Sequence, residues 1–143
     1  MNLDAVGSSN GNNLAFKVSL NTELKKRFDS LIPLSRHILI LIGSDFLDFN
    51  SKKEEIKDNL DKYIKELVNL DLWLGQKSLQ LIDRKEQMGK LLVMKKKRDS
   101  FHNHIKEVQE IKILLPITKE KYYEGFRKNA IAVLGRIDSL LKN

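Results

Sequence analysis

The sequence predicts an all-α fold, an antiparallel up-and-down bundle of four to five helices with two long central ones. Three observations carry that expectation. The 143 residues are 41% hydrophobic and 31% charged with only 7 Gly and 2 Pro, a balance typical of helix bundles. Apolar residues recur every three or four positions, as in Ile56, Leu60, Tyr63, Ile64 and Leu67. Ser51-Lys52-Lys53-Glu54 has the form of a capping box that opens a long helix. The length suits a single domain able to bury its own core.

Residues 1–15 include Gly7-Ser8-Ser9-Asn10-Gly11-Asn12-Asn13, a polar stretch with too little apolar surface to offset ordering entropy, and read as a flexible tail before one domain at 16–143. From Asn21, a candidate cap, Leu24, Phe28, Leu31 and Ile32 have helical spacing. Pro33 then kinks or restarts the helix, because it lacks an N–H and its ring clashes with the preceding turn. The block Ile38 to Ile42 suits a buried strand or a buried helix. Among helices a lone strand leaves its edges unpaired, so helix is the expectation. Gly43-Ser44-Asp45 should end it.

The helix from Ser51 is expected to reverse near Asn69, Asp71, Gly75 and Ser78, a cluster of turn formers. A second arm then runs from about Ser78, with Leu81, Met88, Leu91, Leu92, Met94, Phe101, Ile105 and Val108 as candidate core. Its apolar stripe is thin between Asp83 and Arg98, and Gly89 weakens the helix further by about 1 kcal/mol relative to alanine. Such a stretch suits an exposed surface. Leu115-Pro116-Ile117-Thr118 ends the arm, with Thr118 as cap of a last helix carrying Tyr122, Phe126, Ala130, Val133, Leu134, Ile137 and Leu141.

Cysteine is absent, which excludes disulfides, thiolate zinc sites and cysteine nucleophiles and fits a reducing, cytoplasmic setting. The start Met1-Asn2-Leu3-Asp4 lacks the basic flank and apolar block of a secretory signal. The longest purely apolar run, Ile38 to Ile42, is far shorter than the roughly 20 residues a membrane span needs, so no membrane association is expected. The net charge is +7, and residues 84–106 hold eight Lys or Arg against two acids. A field concentrated in that way favours a polyanion over a neutral ligand. The plainer alternative is a solvated lysine-rich face that keeps the protein soluble.

Charge and acid–base chemistry coincide at Lys95-Lys96-Lys97-Arg98-Asp99-Ser100-Phe101-His102-Asn103-His104. Arg98 is a permanent cation able to steady a phosphorane, and His104 is an imidazole able to move protons near neutral pH. Lys90, Lys95, Lys96, Lys97 and Arg98 are the candidate phosphate contacts. On a continuous helix residues six apart point about 120° apart, whereas Arg98 and His102 share a face. Either the helix breaks before His104, or His102 is the arginine's partner.

Arg98-Asp99-Ser100-Phe101-His102-Asn103-His104 resembles the mark of the HEPN family of small helical ribonucleases: an arginine, four to six residues and a histidine, with a polar residue after the arginine. It is closest to the Arg-Asp-Lys-x-x-Ala-His form of some toxin and abortive-infection members. The resemblance covers about residues 78–143 and is weak before them. It implies a metal-independent endoribonuclease without cofactor, acting as a homodimer with the RNA 2′-hydroxyl as nucleophile. His104 would then transfer protons, Arg98 would steady the scissile phosphate, and His102 or Asn103 would assist.

Other sites are weaker. His102 and His104, with Glu107 nearby, do not suit a metal site, because positions two apart on a helix diverge and no third ligand is evident. His37 adjoins an apolar block and reads as structural, and Trp73 as core or hairpin end rather than as a partner anchor. Glu54, Glu55, Asp58 and Asp61 read as solubilising charge, and no phosphate-cradling glycine loop is present. A non-catalytic basic bundle, serving as a nucleic-acid-binding module or as an adaptor for a protein partner, is the alternative to the nuclease.

Overall fold

α4 (Lys53–Leu79) and α5 (Met88–Leu114) form the antiparallel pair at the centre of the bundle. These elements come from a computed structural model that describes residues 3–80 and 88–142, with side chains described for 14–80 and 88–140. The pairing is fixed along its length by Asp61 with Lys112, Tyr63 with His104, and Asp71 with Arg98. The remaining helices are α1 (Leu3–Arg27), α2 (Leu31–Ile42), α3 (Phe46–Ser51), α6 (Tyr123–Gly135) and α7 (Ile137–Lys142). The fold is an all-α helical bundle, and the described residues contain no strand.

α2 runs antiparallel to α6, with the Ser35 hydroxyl on the Leu134 carbonyl and the Tyr123 hydroxyl on the Ile42 carbonyl. α1 lies along α5 in the same sense, since Lys90 covers Phe16 and Phe101 meets Phe28 edge-on at 5.7 Å. The kink between α1 and α2 falls at residues 28–30. Pro33 explains it: its missing N–H and its ring disturb the carbonyl four residues back, at Asp29.

Leu24, Phe28, Leu31, Ile38, Ile56, Leu60, Tyr63, Leu67, Leu74, Phe101 and Val108 are fully buried at the bundle centre. Burial of each such side chain contributes about 1.5–3 kcal/mol before entropy is counted. A second aromatic group, Phe49 with Tyr123 and Phe126, closes the end where α3 and α6 meet. Gly43 adopts a positive φ of 71° and lets the chain leave α2, as Gly43-Ser44-Asp45 suggested.

Several local expectations are corrected. The reversal is not at 69–78, because α4 continues to Leu79. Ser78 bonds back to the Leu74 carbonyl, while Asp71 and Gly75 face α5 and are used there. The capping box does not form, since Ser51 belongs to α3 and its hydroxyl bonds the Asp48 carbonyl. Thr118 likewise turns its hydroxyl back to Leu114 instead of capping α6. Asn21 lies inside α1, and the α6 face is entered by Tyr123, with Tyr122 exposed. Met88 and Leu92, expected in the core, are exposed, and Leu81 and Leu141 lie outside the residues whose side chains are described. The backbone of 3–15, expected as a tail, is helical as part of α1.

Candidate functional site

α5 is helical without interruption from Met88 to Leu114, so the basic motif is read out at about 100° per residue. Lys97, Phe101, His104 and Val108 fall on the side that faces the core. Arg98 and His102 fall one turn apart on the flank toward α4, and Lys95, Lys96 and Asp99 point outward.

The helix does not break before His104, and Arg98 and His104 are therefore not brought together. His104 is 2% exposed, and its Nε2 lies 2.7 Å from the Tyr63 hydroxyl. Burial, with a smaller contribution from Arg136, pulls its pKa down from 6.5 to about 4. No described group bonds its Nδ1. An imidazole so enclosed cannot reach a phosphodiester. The signal was present in the sequence, because His104 continues the spacing of Phe101 and Val108.

Arg98 and His102 converge instead on Asp71 of α4. The guanidinium spans both carboxylate oxygens, Nε to Oδ1 at 3.2 Å and Nη2 to Oδ2 at 3.3 Å, and His102 Nε2 lies 3.0 Å from Oδ2. Burial acts to raise the Asp71 pKa, yet hydrogen bonds from Arg98 and His102 outweigh it and the carboxyl titrates below its ordinary range. Gly75 leaves the guanidinium room, since a Cβ there would stand 3.3 Å from the Arg98 Cζ and oblige that flexible side chain to shift by a few tenths of an ångström. Neither Asp71 nor Gly75 was legible as a site residue, because each resembles a turn former.

The candidate phosphate contacts divide. Lys95 and Lys96 are exposed, and Lys90 is half-buried with its ammonium 5.5 Å from the Phe16 ring centroid. Lys97 is withdrawn: it is 1% exposed and its Nζ donates to the Leu140 carbonyl at 2.6 Å. Burial first, and the nearby Lys17 second, lower its pKa to about 8. Arg98 keeps 34% of its side chain exposed while held by Asp71.

Lys17 is a neighbour of this basic stretch that sequence reasoning missed. It lies within residues 1–50, whose five Lys or Arg and five acids cancel, and only the packing of α1 on α5 brings it to a surface pocket shared with Lys96, Asp99 and Ser100. Arg27 stacks on Trp73 at 4.3 Å, which makes that indole part of the α1–α4 seam, and His37 is exposed on α2. Among the described residues no three His, Cys, Asp or Glu side chains are placed to hold a metal ion. No described helix is long and apolar enough to cross a membrane.

Compared with protein-family models, with curated proteins and with solved structures, the chain matches none.

Proposed function

We propose that this bundle is a nucleic-acid-binding module whose contact surface is the outer side of α5 extended by Lys17 of α1, with RNA as the polyanion. One observation carries the reading: α5 holds six Lys or Arg against one acid between residues 88 and 106, its Lys95 and Lys96 are exposed, and α1 adds Lys17 beside Lys96. Phosphates meeting these ammonium groups release counterions, so affinity falls steeply with salt. Few aromatic side chains accompany the lysines, and contact with the backbone rather than base stacking is the mode they suit.

The test is fluorescence anisotropy with a labelled single-stranded RNA over a salt series. Wild type binds at low salt, and the combined Lys17→Glu, Lys95→Glu, Lys96→Glu variant loses binding while keeping its helical circular dichroism. Absence of binding at low salt, or equal binding by the variant, removes the proposal.

A second reading is a cleaving pair made by Arg98 and His102, which rests on geometry, since only three residues separate the two and the HEPN mark has four to six. It is favoured by the convergence of the exposed His102 and the partly exposed Arg98 on the buried Asp71, an arrangement in which a carboxylate orients an imidazole beside a guanidinium. RNA incubated with the protein in EDTA separates the two. Cleavage lost in His102→Ala but retained in a folded His104 variant supports the second reading, and intact RNA leaves the binding module alone.

A further inference from the structure

The seam between α4 and α5 carries, at the end near Leu79 and Met88, a cluster of large aliphatic side chains in solvent. Leu72 is 57% exposed, Leu79 66%, Met88 63% and Leu92 58%. Two surface pockets adjoin there and share Ser78 and Arg98. One, of about 400 Å³, lies over α5 between Met88, Leu91, Leu92 and His102. The other, of about 440 Å³, lies over α4 between Leu72, Gly75 and Leu79. The Arg98 side chain runs between them. Exposed apolar surface gathered in this way is the mark of a contact site rather than of scattered surface leucines.

The electrostatics choose the occupant. Lys95, Arg98 and His102 edge the α5 pocket, with Asp99 the acid beside them. A second copy of a chain of net charge +7 would bring the same cations against themselves. A nucleic acid would set phosphates on leucine and methionine. We infer that this seam docks an amphipathic helix of a partner protein, with an apolar face bordered by Asp or Glu.

The geometry suits that mode. Two antiparallel helices packed side by side offer a groove that a third fills with side chains at i, i+3, i+4 and i+7, one set entering each pocket on either side of Arg98. Carboxylates at the border of that face reach Lys95 and the exposed part of Arg98, which fixes which way the partner's apolar stripe is turned. The seam adjoins the Lys17–Lys96 pocket at Asp99 and shares Lys95 with the RNA surface, but neither Lys17 nor Lys96 lines it, so a change at Lys17 tells the two readings apart.

The probe is a synthetic 18-residue helical peptide with leucine at i, i+3, i+4 and i+7 repeats and glutamate on both borders, measured by anisotropy against a twin carrying lysine at the borders. The glutamate peptide is expected to bind at least tenfold tighter than the lysine twin. Leu79→Ser with Leu92→Ser is expected to weaken it tenfold or more, with helical content and melting temperature held. Lys17→Glu is expected to change it less than threefold, which separates a failure here from a failure of the RNA reading. Equal binding of both peptides, no binding of the glutamate form, or a wild-type dimer on sedimentation that the double-serine variant abolishes would each overturn the inference.

Discussion

Tyr63 of α4 and His104 of α5 meet inside the bundle, hydroxyl to Nε2 at 2.7 Å, and that contact decides the fate of the motif on which a nuclease reading first rests. It turns a candidate proton shuttle into a core hydrogen bond. It also makes the fold sensitive to acid.

With a folded pKa near 4 against 6.5 unfolded, the unfolded chain binds the extra proton between those values. Stability is therefore complete above pH 6.5 and declines as pH falls toward 4, by on the order of 3 kcal/mol. His104→Leu should flatten that limb in urea melts at several pH values. At neutral pH the same variant strands the Tyr63 hydroxyl and should cost about 1–3 kcal/mol, and adding Tyr63→Phe should restore part of it. A wild-type stability unchanged between pH 7 and 4.5 would contradict a buried neutral imidazole.

Lys97 gives the opposite end of the pH scale. Its pKa falls from 10.5 to about 8, so the unfolded chain holds the proton more tightly between those values and stability rises with pH across that window. Below pH 8 the buried ammonium opposes folding, and Lys97→Met should raise the melting temperature at pH 7 by a few degrees. The gain should shrink by pH 10. A loss of stability in Lys97→Met at pH 7 would mean that its bond to the Leu140 carbonyl outweighs the charge's burial.

Asp71 holds two α5 side chains at once, and Asp71→Asn should remove that tether at a cost of about 1 kcal/mol, since Arg98 and His102 can turn to water. Its carboxyl titrates below the ordinary value, so its contribution is present above pH 4 and is lost as pH falls through the lowered folded value. Asp71→Asn should therefore differ least from wild type in the most acidic melts. A difference that grows with acid would reverse the assignment.

Gly75→Ala places a methyl group 3.3 Å from the Arg98 Cζ, at the mobile end of a side chain that can shift by a few tenths of an ångström. Helix propensity then dominates, and the variant should gain up to about 1 kcal/mol. A loss larger than that, read by thermal melts, would show that Arg98 is locked against Asp71.

How much was legible beforehand follows from which forces are local. Ile56, Leu60, Tyr63 and Leu67 announce their helix because each buried face repeats with the pitch of the backbone, and all four are buried where that spacing puts them. The turn formers at 69–78 misled because Asp71, Gly75 and Ser78 are weak breakers individually, and α5 uses the first two. Of the site, Lys95 and Lys96 are exposed as their charge suggested, while Lys97 between them is buried. Lys97 falls on the arc of α5 that also carries Phe101, His104 and Val108, and that arc faces the core.

The sequence by itself determined the helical class, the apolar stripes and the segment where positive charge concentrates, since each depends on residues within a few turns of one another. Only the tertiary structure decided that His104 lies inside against Tyr63, that Arg98 and His102 share Asp71, and that Lys17 joins Lys96. Those outcomes depend on which polar group a distant helix delivers to a given place. Burying a charge or an imidazole is tolerable only with such a partner, and no local spacing specifies one.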